Sequence, residues 1–174
     1  STRPEPLLSK IPGTNRDQSG IQYAMPEDLW DHDQFLDDVR AACDCQTIPM
    51  TTIHSEYAPG QFEINLHHTD DPIKACQDAF LLKRLVKGIA RKHSMAATFM
   101  AKPFKDIAGS GLHIHMSIYD KDGDNVFADQ NSSEIPAISP ILLHAIGGLS
   151  DLMSDSMAIF APNANSYRRL IPGN

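Results

Sequence analysis

The stretch MTTIHSEYAPGQFEINLHH, residues 50–68, decides the fold. Residues 50–56 and 61–68 read as two strands around Ala58-Pro59-Gly60, which is hairpin punctuation. Side chains alternate faces along a strand. Phe62, Ile64 and Leu66 therefore share one face, and Glu63, Asn65 and His67 share the other. On the first strand Thr52, His54 and Glu56 lie together. The hairpin thus has an apolar face to be covered and a polar face that carries carboxylates.

Helical periodicity flanks it on both sides. Over 27–43, Leu29, Leu36, Val39 and Cys43 recur at helical spacing with Asp37 and Asp38 between them. A longer helix is predicted from Pro72 to His93, with Pro72 suited to a first turn. Its apolar stripe is Ile73, Cys76, Phe80, Leu82, Leu85, Val86 and Ile89, while Lys83, Lys87 and Arg91 form a solvated face. Residues 96–101 read as a buried strand and 111–119 as an alternating one. A turn over Asp120–Asn125 leads into a short strand with Val126 and Phe127. A helix follows over 137–153, and 154–174 is less regular. Residues 1–25, punctuated by Pro4, Pro6, Pro12, Gly13 and Gly20, read as a loop. Hairpins interspersed with helices make an α+β fold, an antiparallel sheet packed on helices.

Composition narrows the function classes. The 174 residues are 41% hydrophobic and 21% charged, ordinary for a globular domain with a real core. A net charge of -7 disfavours nucleic acid as a partner. The chain has no run of eighteen apolar residues, so no membrane partner is expected. Residues 1–10 lack the apolar stretch of a secretory signal. Three cysteines, an odd count, suggest a reducing, cytoplasmic setting. Cys43 and Cys45 read as free thiols at a helix end, because no further zinc-type ligands are spaced to join them.

The polar strand faces carry Glu56, Glu63, His113 and His115. Taken singly, each reads as the wet side of a one-sided sheet. Together, carboxylates with one or two imidazoles suit a divalent cation, magnesium or manganese. Gly109-Ser110-Gly111 allows either a bend or a close backbone approach to a ligand.

Four motifs, in order across residues 56–173, resemble those of the glutamine synthetase family. GSGLHIHMS, residues 109–117, resembles the signature Gly-Ser-Gly-Met-His-x-His-x-Ser. TFMAKP, residues 98–103, resembles Phe-Met-Pro-Lys-Pro. EYAPGQFE, residues 56–63, resembles the family's metal hairpin. NSYRRLIPG, residues 165–173, resembles Asn-Ser-Tyr-Lys-Arg-Leu-Val-Pro-Gly. The first 45 residues match only loosely.

The resemblance implies an ATP-dependent ligase. Such an enzyme phosphorylates the γ-carboxylate of L-glutamate, and ammonia or an amine then displaces phosphate. It implies Mg2+ or Mn2+ held by Glu56 and Glu63 on the glutamate side and by His113 on the ATP side. It also implies nucleotide contacts at His115 and Ser117, an amino-acid contact at Gly109, and a carboxylate grip by Arg169. Glu56 would lie near the incoming amine, and Arg168 would be a surface charge. The family's Asn before Gly-Ser-Gly is Ala108 here, and residues 102–109 resemble the branch that makes γ-glutamyl amides of larger amines such as polyamines. Upstream and downstream carboxylate strands of the family have no counterpart in the chain, nor does its small N-terminal domain. Residues 1–174 are therefore expected to be a partial catalytic domain, inactive alone, whose parent is a homo-oligomer. Two alternatives compete: a non-catalytic relative serving assembly or regulation, and an unrelated metal-dependent hydrolase built on the His-x-His strand.

Overall fold

The computed structural model describes residues 23–129, 133 and 137–171; the expected loop over 1–22 and the terminal Pro172 and Gly173 lie outside them. The chain divides into two compact units, 1–109 and 110–174.

In the first unit, helices α1 (Pro26–Trp30) and α2 (Asp33–Cys45) precede strands β1 (Met50–Ser55) and β2 (Phe62–Leu66), and helix α3 (Pro72–Lys92) follows. The expected helix over 27–43 is thus two helices. The chain breaks at His32, which leaves helical backbone geometry (φ -125°, ψ 20°), and Asp33 restarts it by accepting the Gln34 N–H. The stripe reading survives the break, since Leu36, Val39 and Cys43 are buried. β1 and β2 pair antiparallel, with Ile53 opposite Ile64. Phe62, Ile64 and Leu66 pack against a core of Leu36, Val39, Cys43, Ile48, Ile53, Leu82, Leu85, Val86 and Ile89. The sheet therefore lies on helices through the face its alternation predicts, and the α+β class holds.

α3 begins where Asp71 accepts from the N–H groups of Ile73 and Lys74, at 2.9 and 3.0 Å. Pro72 occupies the first turn, where its missing N–H costs nothing. Arg91 and Lys92 close the helix at its negative dipole end. Only the later part of the expected stripe, Leu82 to Ile89, is buried; Ile73, Cys76 and Phe80 are exposed. The 3.6-residue pattern marks an apolar face but does not say what covers it. His93 pairs with Asp38 at 2.8 Å and ties the end of α3 to α2.

The buried strand expected over 96–101 does not form. Ala97 packs on the core, whereas Phe99 and Met100 are exposed, and Lys83 and Lys87 sit 5.9 and 6.0 Å from the Phe99 ring. The two lysines are exposed as expected, but they rest on an aromatic face.

In the second unit, α4 (Pro140–Phe160) and α5 (Ala164–Arg169) are helical. The strand expected over 111–119 has no ladder among the described residues, only an isolated bridge between Tyr119 and Asn125. Alternation supplies a strand's face, but a strand also needs a neighbour to take its backbone hydrogen bonds. Val126 and Phe127 form no strand either; Ala128 bridges Ile138. The expected turn does form, because Asp120 Oδ1 accepts from the N–H groups of Asp122 and Asp124. α4 outruns the expected 137–153 to Phe160, and no residue of it is buried. The tail is more regular than expected because Asn163 caps α5 by accepting from Ser166 N–H.

Cys43 and Cys45 are free thiols in the last turn of α2, as read from the sequence. Burial, with Asp44 beside it, raises the Cys43 pKa. At pH 8, Cys45 and Cys76 are expected to react quickly with a thiol reagent and Cys43 only on unfolding, which colorimetric titration with and without denaturant measures. Leu36→Ala should cost about 2–5 kcal/mol in urea unfolding, whereas Ile73→Ala on the exposed stripe should stay within about 0.5 kcal/mol of wild type.

Candidate active site

The register of the hairpin assembles the first group of polar side chains. His54 stands opposite Glu63, and Glu56 follows β1 directly, its N–H donating to the Gln61 carbonyl at 2.8 Å. His54 Nε2 lies 3.6 Å from Glu56 Oε1 and 3.8 Å from Glu63 Oε2. One ligand atom from each of the three falls within 4.8 Å of the others, and all three side chains are half-buried. The Tyr57 N–H donates to Glu56 Oε2 at 3.0 Å, fixing the carboxylate with its other oxygen toward His54. The Tyr23 ring meets His54 edge to face, with centroids 6.4 Å apart. Its segment is fastened to the end of β1: Ala24 N–H donates to the Ser55 carbonyl, and the buried Ser55 hydroxyl donates to the Met25 carbonyl.

Three donors this close could hold one cation. Around an octahedral divalent ion with ligands near 2.1 Å, adjacent donors stand roughly 3.0 Å apart and opposite ones roughly 4.2 Å. Two carboxylates and one imidazole are donors that a divalent cation can take. The structure brings Glu56 and Glu63 together as the sequence motif implied, and it adds His54. The motif gives His54 no role, although its place on one strand face with Glu56 is legible in the sequence. Among the described residues this is the one set of three metal-capable groups so close together.

The second unit holds a second group. A Cβ built on Gly111 would meet Arg169 Nη2 at 3.3 Å and His113 Nε2 at 3.5 Å. The glycine therefore lets a guanidinium and an imidazole crowd the same backbone position. Arg169 ends α5 and is half-buried, while Arg168 is exposed, as a surface charge would be. His115 and Ser117 are exposed. Gly109, the last residue of the first unit, is half-buried, and its carbonyl accepts from Gln61 Nε2 at 3.1 Å.

The family description "Glutamine synthetase, catalytic domain" matches residues 3–174. The γ-glutamylputrescine synthetase PuuA of Escherichia coli K12 is 46% identical over 162 residues, which are 93% of this chain and 34% of that protein. A glutamate–isopropylamine ligase of a Pseudomonas species is 39% identical over 153 residues, 88% of this chain and 32% of that one. The solved structure of apo GmaS without ligand superposes with a TM-score of 0.78 at 30% identity, covering 91% of this chain and 37% of that chain. The chain thus spans about a third of the length of the curated relatives it matches.

Mn2+ titration of the 174-residue chain, followed by electron paramagnetic resonance, tests the hairpin cluster. Glu63→Gln and His54→Ala are each expected to weaken binding at least roughly tenfold. His115→Ala should leave it unchanged; equal effects from all three would assign the bound ion elsewhere.

Proposed function

The chain belongs to the glutamine synthetase family, and from that premise we propose that it is part of the catalytic domain of an ATP-dependent ligase joining the γ-carboxylate of L-glutamate to an amine. The observation that carries this reading is the His54–Glu56–Glu63 cluster, whose donor atoms gather within 4.8 Å on the polar face of the hairpin. A carboxylate oxygen of glutamate attacks the terminal phosphorus of ATP, ADP leaves, and the γ-glutamyl phosphate forms. The amine nitrogen then attacks the acyl carbon, inorganic phosphate leaves, and the nitrogen loses a proton. When bound, Mg2+ or Mn2+ would neutralise phosphoryl charge and order the donor oxygens.

The chain's own residues divide the remaining work. His54, Glu56 and Glu63 would hold the cation on the glutamate side, and His113 would contribute to a second cation on the ATP side. Glu56 also faces the incoming amine and accepts the proton that its nitrogen sheds. Arg169 grips the α-carboxylate of glutamate through its planar donor fork, and its closeness to Gly111 and His113 supports that role. Gly109 offers its backbone to the amino acid, and His115 and Ser117 line the nucleotide. In this reading the chain spans part of the catalytic domain. Further carboxylates and the small N-terminal domain belong to the rest of a homo-oligomeric, cytoplasmic enzyme, and the 174 residues alone turn over no ATP. Among the described residues no helix is long and apolar enough to cross a membrane.

Two observations favour a larger amine over ammonia as acceptor. Ala108 replaces the family's asparagine. The relatives described above include ligases named for putrescine and isopropylamine. With the full-length ligase, Mg2+, ATP and L-glutamate, phosphate release is expected with putrescine or an alkylamine. Release with ammonia alone would make the enzyme an ordinary glutamine synthetase, and release with no amine would favour the non-catalytic reading. Arg169→Lys should raise the glutamate KM roughly tenfold or more, because a point charge cannot replace the bidentate fork.

A further inference from the structure

Gln61 sits in the turn between the two carboxylate-bearing positions, and both its backbone and its side chain are engaged there. Its carbonyl accepts from Glu56 N–H at 2.8 Å, and its own N–H donates to the Ala58 carbonyl at 2.9 Å. Its Oε1 accepts from Ala58 N–H at 3.0 Å, and its Nε2 donates to the Gly109 carbonyl at 3.1 Å. The partners fix the carboxamide one way round: the Ala58 N–H can only donate and the Gly109 oxygen can only accept, so a flipped amide would lose both bonds. Gly60 makes the turn with φ 70°, and Ala58 is buried. The carboxamide therefore spans from the middle of the metal hairpin to a backbone carbonyl 48 residues away.

We propose that Gln61 is a positioning residue that locks the Gly109 carbonyl to the Glu56–Glu63 hairpin and so couples amino-acid binding to occupancy of the cation cluster. The inference rests on the reading of Gly109 as an amino-acid contact and of the hairpin as a cation site. The physical argument is one of rigidity. A carbonyl oxygen has two lone pairs, and the carboxamide occupies one of them. The other can take a donor such as a substrate ammonium group, at a position set by the hairpin. Anything that orders the hairpin then orders the carbonyl through a single amide.

Glutamate at this position would be nearly isosteric. It would keep the acceptor for Ala58 N–H but place a carboxylate oxygen against the Gly109 oxygen, so the turn survives while the link is lost. Gln61→Met removes the bonds to the Ala58 N–H and the Gly109 carbonyl without adding charge.

In the full-length ligase, calorimetric titration of L-glutamate without ATP at several Mn2+ concentrations, alongside steady-state kinetics, tests the coupling. For wild type, the glutamate Kd and KM should both fall as Mn2+ rises. For Gln61→Glu and Gln61→Met both should stand about tenfold higher at saturating metal and vary little with Mn2+, with kcat within about threefold of wild type. A glutamate KM within twofold of wild type in either folded variant, or a metal dependence that persists, would overturn the coupling. If wild type itself responds to no amine, the ligase reading fails instead, so the two failures are distinct. Should Gln61→Glu not fold, Gln61→Met decides.

Discussion

The register of one hairpin governs both the core and the chemistry of the first unit. Pairing Ile53 with Ile64 and His54 with Glu63 sends alternate side chains to opposite faces. The apolar set meets α2 and α3, and the charged set gathers on the other side. A slip by one residue would exchange the faces, burying His54 and Glu63 and exposing the isoleucines. Burial of the apolar side chains therefore specifies the register, and the register specifies which polar side chains gather. Fold stability and site geometry are here the same constraint seen from two faces of a sheet.

Much of this was legible in the residues. The alternation over 61–68 predicted which side chains enter the core, and the Pro–Gly punctuation predicted the turn. Asp71 and Pro72 mark the start of α3 with a cap and a first-turn proline, both local signals. Reading failed where structure depends on partners distant in sequence. The alternating 111–119 segment and the apolar 96–101 segment carry the composition of strands, yet no ladder forms for either among the described residues. The outer stripe of α3, with Phe80 62% exposed, and the uncovered α4 fail for the same reason. Periodicity identifies a face that favours burial, and only tertiary structure says whether it is buried.

The candidate site divides in the same way. Glu56 and Glu63 were found through a motif whose spacing reflects the turn between them. His54 escapes because a lone histidine on a polar strand face has many ordinary explanations, and only the approach of its Nε2 to both carboxylates raises it above them. The grouping of Gly111, His113 and Arg169 needed coordinates as well. A glycine two residues before a histidine says nothing of an arginine from a helix near the other end of its unit.

The short sequence distance within the hairpin also bears on the order of assembly. His54 and Glu63 are nine positions apart, so bringing them together closes a small loop at little cost in chain entropy. The tether from Gln61 to Gly109 must instead wait for α3 and the segment after it. During synthesis from the N-terminus, the three-donor cluster can form while the glycine loop is still unmade. In a nascent chain the three donor side chains can gather before the Gly109 carbonyl is held in place.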